Sequence, residues 1–194
     1  MRVTLMTVIM VALSSCTNPT TGPGAAAGRF LDASLSRDAE TLHGLLTQET
    51  HQQIETLHKT LSQSRELIAA NYVGDAAKAA LQASGADILD AADTPIRLLS
   101  SLILRNGVAK SAEGFEKWSL RIRSVKQEGR TAVVTTWGGD SVSLVFEQDE
   151  WRVQLSGEDA ARLQSLIANA KTQLLEIRKK VALNNAQRFG VKKQ

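Results

Sequence analysis

The apolar residues of this chain change period twice, and that change limits the possible folds more than any single motif. From Phe30 to Leu104 they recur at helical spacing, from Trp118 to Leu155 they alternate, and from Leu163 to Val181 they return to steps of four and three. In the first stretch Phe30, Leu31 and Leu35 make one short face, and Asp38 is placed to cap a new helix bearing Leu42, Leu45 and Leu46. Thr47 opens a longer helix with Ile54, Leu57, Leu61 and Ile68 on one stripe, ending near Gly74. Asp75 to Ala83 is Ala-rich and stops at Gly85. Thr94-Pro95 begins another helix, the most apolar segment beyond the N-terminal one, and Asn106-Gly107 ends it.

The alternating stretch predicts four strands. Trp118, Leu120 and Ile122 alternate with Ser119, Arg121 and Arg123, and Thr131 to Trp137 is β-branched. Val142, Leu144 and Phe146, then Trp151, Val153 and Leu155, complete one apolar face, with turns at Glu128-Gly129, Gly138-Gly139 and near Asp149. Strands joined this closely form an antiparallel meander. The predicted class is therefore α+β: N-terminal helices packed on a curled four-stranded antiparallel sheet, followed by a long C-terminal helix. Val125, Val133 and Val145 are expected to make a second apolar face.

The N-terminus is an address. Met1-Arg2, an apolar run from Val3 to Leu13 and small residues before Cys16 follow the secretory pattern. Eleven helical residues span about 16 Å, roughly half a bilayer core, so the run is too short to cross. Leu13-Ser14-Ser15-Cys16 resembles the bacterial lipobox, and Cys16 is the only cysteine of the chain. That resemblance implies a signal peptide over 1–15, cleavage before Cys16, and lipidation of its thiol by a diacylglyceryl group, with palmitate-like acylation of the new amino terminus in many bacteria. Residues 16–28 are then expected to be a flexible Gly/Pro-rich tether, 29–156 the α+β domain and 157–194 a helix with a basic end. Thr17, standing where many inner-membrane lipoproteins carry Asp, implies the outer rather than the inner membrane.

Phe30-Leu31-Asp32-Ala33 through Arg37-Asp38-Ala39-Glu40 and Leu45-Leu46 is similar to the opening helices of the nuclear transport factor two-like, cone-shaped superfamily. Glu150-Trp151-Arg152-Val153 resembles its closing strand. The resemblance covers roughly residues 29–156 and implies a cone-like domain. The long helical insertion between Asp75 and Gly107, and the helix after the last strand, depart from that pattern.

Chemistry is sparse. Enzymes of that superfamily place an Asp, Glu or His inside the cone, yet the nine inward strand positions predicted here carry none. No Gly-x-Ser-x-Gly elbow is present, and Gly138-Gly139-Asp140 precedes no helix, so it is a turn rather than a phosphate loop. His51, Glu55 and His58 share one arc of the third helix and are weak candidate metal ligands, with Glu40 and His43 repeating the spacing. Two turns, about 10 Å, separate His51 from His58, too far for one ion. The expectation is a solvated flank, no metal and no cofactor. Trp118, Trp137 and Trp151 read as packing residues rather than stacking platforms. A formal charge of +3 is too small for nucleic-acid binding.

The last helix opens at Ser156-Gly157-Glu158-Asp159, a capping-box pattern, and carries Leu163, Ile167, Ala170, Leu174, Ile177 and Val181 as a heptad-like stripe. Leu166 and Leu175 widen the stripe, which favours packing on its own domain over a two-stranded coil. Its first half is expected to dock, and its end from about Arg178, with Lys179, Lys180, Arg188, Lys192 and Lys193, to project toward a membrane or a partner helix. These features point to a lipid-anchored envelope protein acting as a non-catalytic binding or interaction module. The alternative is a small-ligand-binding or enzymatic cone protein.

Overall fold

The computed structural model describes residues 21–105 and 120–189. Among them are six α-helices and one four-stranded antiparallel sheet. The helices are α1 (Pro23–Ser36), α2 (Ala39–Leu45), α3 (Gln48–Asn71), α4 (Gly74–Ser84), α5 (Pro95–Arg105) and α6 (Gly157–Phe189). A short 3-10 helix at Ala86–Asp90 precedes α5. The strands β1 (Ile122–Glu128), β2 (Thr131–Thr136), β3 (Ser141–Glu147) and β4 (Glu150–Gln154) lie side by side in chain order. The α+β class and the meander are thus as the period change requires.

The helix boundaries follow from local chemistry. The Asp38 carboxylate accepts from the Thr41 amide at 3.0 Å and caps α2, and the Thr47 hydroxyl accepts from the Thr50 amide at 3.4 Å at the start of α3. Thr94 Oγ1 accepts from the Arg97 amide at 3.2 Å, with Pro95 at the first helical position of α5. Gly85 ends α4 at φ +70, in the left-handed region where glycine has no Cβ to clash. Replacing Asp38 with Ala is expected to lower the urea unfolding midpoint, because the Thr41 amide at the start of α2 loses its acceptor.

The tether expectation fails over its last six residues. Pro23-Gly24-Ala25-Ala26-Ala27-Gly28 is the first half of α1, and Ala26 and Ala27 are fully buried. The helix lies across all four strands. Small residues explain why this segment looked like linker: they have no apolar bulk to show a period, yet they let a helix approach a sheet closely. A Cβ on Gly24 would meet Val125 Cγ2 at 3.4 Å.

The inner face of the sheet is apolar and paired in register. Val134 faces Val142, Ala132 faces Leu144, Leu144 faces Val153 and Phe146 faces Trp151, and all but the half-buried Phe146 are buried. Residues directly opposed across an antiparallel pair share a face. On that rule the expected second apolar face is wrong at Val125. The pairing skips a residue between Ile122 and Ser124, so Arg123 is a β-bulge and Val125 stands opposite Val134 on the inner face. Val133 and Val145, paired with Lys126 and Arg152, do lie outside, but Val133 is 42% exposed. Trp118 lies outside the described residues.

One edge of the sheet is covered. Leu46 bridges Val153 in parallel, the Thr47 amide donates to the Val153 carbonyl at 3.0 Å, and Arg152 donates to the Gly44 carbonyl. The Gln48 amide adds a bond to Glu147 Oε2 at 3.1 Å. The α2–α3 connection therefore closes the β4 edge against pairing with another chain.

α3 is the spine of the helical layer. Its predicted stripe, Ile54, Leu57, Leu61 and Ile68, is buried throughout, with α5 and the 3-10 helix among its neighbours and α6 packed along its length. Thr60 and Ser64 also lie in the buried stripe, and their hydroxyls donate to the carbonyls of Thr56 (2.7 Å) and Thr60 (3.1 Å). On α6, Leu163, Ala170, Leu174 and Ile177 are buried, so the helix docks within its own chain. Docking reaches further than expected: Arg178 is not free but donates to Gln63 Oε1 on α3 at 3.3 Å. Beyond it Lys179 and Lys180 are exposed and Leu183 is 62% exposed. The Ser156 hydroxyl is engaged with Ser143 at 3.2 Å, across to β3.

Candidate functional site

Helix packing leaves a cavity of about 180 Å³ in the helical layer beside α1. Five helices and the β4–α6 connection build it. α1 contributes Phe30 and Ser34, α2 and its C-terminal residue contribute Leu42 and Leu46, and α3 contributes Ile54. α5 adds Leu99 and Leu102, Leu155 follows β4, and α6 supplies Leu163 and Leu166. Asp159 and Arg162, both exposed and one turn apart on α6, stand where the cavity meets solvent. Among the described lining residues Ser34 is the one with an uncharged polar side chain, and its hydroxyl already donates to the Phe30 carbonyl at 2.8 Å.

Among the described lining residues the two charged groups, Asp159 and Arg162, stand at the rim, and the walls behind them are apolar. An apolar chamber with a polar mouth is the usual build of a small-molecule site. Sequence reasoning missed this cavity because its walls come from segments up to 136 positions apart, Phe30 to Leu166, with no shared period. Phe30, Ile54, Leu99 and Leu163 each read correctly as helix-face residues and nothing more.

The histidines are distributed differently from the arc on α3. The break between α2 and α3 folds His43 onto His51, and their rings stack with centroids 4.2 Å apart and planes 15° from parallel. His51 Nε2 donates to the His43 carbonyl, at the C-terminal end of α2. His58 Nε2 instead donates to the Asp93 carbonyl at 3.0 Å, ahead of α5. The structure therefore joins His51 with His43 and sends His58 to a different segment. Among the described residues no group of three His, Cys, Asp or Glu side chains is placed to hold a metal ion. Burial, and next the adjoining His51 imidazole, hold the pKa of His43 below its ordinary range, with Glu55 opposing.

This geometry gives a pH dependence with a definite sign. A base whose folded pKa is depressed binds fewer protons folded than unfolded near its unperturbed value, about 6.5. Its contribution is complete above that value and is lost as pH falls below it. The melting temperature should thus decline from pH 7.5 to 5.5, and His43→Gln should flatten the decline. An unchanged slope in His43→Gln would show that the stacked pair is not its source.

Of the tryptophans, Trp151 is buried and meets Phe146 at 5.3 Å with rings tilted, a core contact. Trp137 is half exposed under the Arg123 guanidinium, 5.4 Å from its ring centre. Cys16 lies outside the described residues. Among those described, no helix is long and apolar enough to cross a membrane. No protein-family model matches this chain, and no curated protein or solved structure is significantly similar to it.

Proposed function

We propose that this chain is a bacterial cell-envelope lipoprotein, held on a bilayer through acylated Cys16, whose domain is a non-catalytic binding module. The anchor rests on Leu13-Ser14-Ser15-Cys16 at the end of the apolar run. The binding role rests on one observation, the cavity in the helical layer with walls of Leu, Ile and Phe and charge only at its rim. Thr17 supports the outer membrane as its site. The motifs in α1, α2 and β4 support kinship with the nuclear transport factor two-like superfamily, and a curled, cone-like sheet belongs to that same reading. The exposed Lys179 and Lys180 on the distal end of α6 suit contact with anionic headgroups or a partner helix.

The small-ligand alternative gains from the cavity as well, since a chamber of this size accepts a molecule rather than a protein surface. Its enzymatic form gains nothing from an apolar lining. Mass spectrometry of the protein extracted from membranes tests the anchor. The expected species begins at Cys16 and carries two or three acyl chains. A mature, membrane-free protein with an unmodified Cys16 would overturn it.

A further inference from the structure

We infer that the cavity beside α1 binds a single medium-chain fatty acid, with the alkyl chain inside and the carboxylate at Arg162. The inference rests on the binding-module reading and names its ligand. Volume comes first. An apolar cavity of roughly 150 Å³ holds a benzene-sized molecule and stays dry when empty. At about 180 Å³ this cavity therefore takes a chain of about six to eight carbons. A two-chain phospholipid is too large, which selects the free acid over a bilayer lipid as the source of the alkyl group.

Chemistry of the walls comes second. Leu42, Ile54, Leu99 and Leu163 are buried and offer no hydrogen bond, and Ser34 has already spent its hydroxyl proton on the Phe30 carbonyl. A sugar, nucleotide or amino acid would lose its hydration there without replacement, whereas an alkyl chain loses nothing. Charge at the mouth comes third. Arg162 forms no ion pair among the described residues and can donate two parallel bonds to a carboxylate. Asp159, one turn earlier at the same mouth, repels an anion. The two residues predict opposite effects on a charged ligand and none on a neutral one.

The experiment titrates the full chain carrying Cys16→Ala, purified free of detergent, with sodium hexanoate, octanoate and dodecanoate, and with 1-octanol, by calorimetry. Each methylene buried should tighten binding about fourfold, so octanoate should bind about sixteen-fold tighter than hexanoate. Dodecanoate should then gain far less per carbon, because its extra length cannot enter. Arg162→Gln should weaken octanoate about tenfold and leave octanol unchanged, while Asp159→Asn should tighten octanoate alone. Ser34→Phe should fill most of the cavity and abolish octanoate binding; should it misfold, the opposed effects of Arg162→Gln and Asp159→Asn on octanoate, with octanol unchanged, still decide the inference. A flat series across chain lengths overturns the inference, and so does octanol binding as tightly as octanoate. Neither result touches the anchored-module reading, which membrane retention measures separately.

Discussion

Leu174→Asp is expected to lower the stability of this protein by about 3–5 kcal/mol of the roughly 5–15 kcal/mol available to a domain of this kind. Leu174 sits in the middle of the seam between α6 and α3, 6% exposed, between Ala170 and Ile177, which are also buried. A carboxylate there loses its hydration, so the fold must admit water or undock the helix. The adjacent residue provides the control. Leu175 is 55% exposed, and Leu175→Asp should change stability by no more than about 0.5 kcal/mol. Urea unfolding of the two variants should separate them clearly. Equal midpoints, with Leu174→Asp merely losing a dimer in sedimentation, would mean that the seam is intermolecular.

Cys16→Ala is expected to shift the protein from almost wholly membrane-bound to either soluble or unprocessed. One acyl chain of myristoyl length holds a protein only marginally and reversibly. Two or more chains, each buried methylene contributing about 0.8 kcal/mol, make release negligible. With the thiol gone no diacylglyceryl group can be attached, and the cut before residue 16 should fail with it. The two outcomes are told apart by mass, since an unprocessed chain keeps residues 1–15 and their apolar run. A Cys16→Ala protein that is cut at the same bond and still pellets with membranes would refute lipid anchoring at this residue.

The first of these predictions shows where the sequence was legible. Leu174 could be placed on a buried stripe because a helix repeats every 3.6 residues, and a stripe too wide for a two-stranded coil requires a broad partner surface. Capping residues were as readable: Asp38, Thr47 and Thr94 each bind the amide three positions on, so the interaction lies inside one short stretch of sequence. Strand pairing followed from short turns. At the β3–β4 turn, Gln148 and Asp149 take φ +48 and +65, the doubly left-handed turn that suits the twist of a hairpin.

Other features had no local signature. α1 begins seven residues ahead of Phe30, where its apolar pattern starts, because alanine and glycine show no amphipathic period and are buried only when a sheet lies beside them. The bulge at Arg123 inverts the facing of Val125, and an extra residue in one strand is visible only once its partner strand is in place. His43 and His51, eight positions apart across a helix break, meet because the chain turns at Leu46-Thr47.

What the sequence determined by itself is the class, the order of the elements and most of their ends, all governed by interactions between residues close along the chain. What only the tertiary structure decided is which faces meet: α6 on α3 rather than on the outer face of the sheet, α1 closely against the inner face, and the cavity among five helices. The physical reason is that burial is non-directional. A Leu stripe must leave water, but any apolar surface of suitable shape can receive it, and the choice is made by the packing of the whole chain at once.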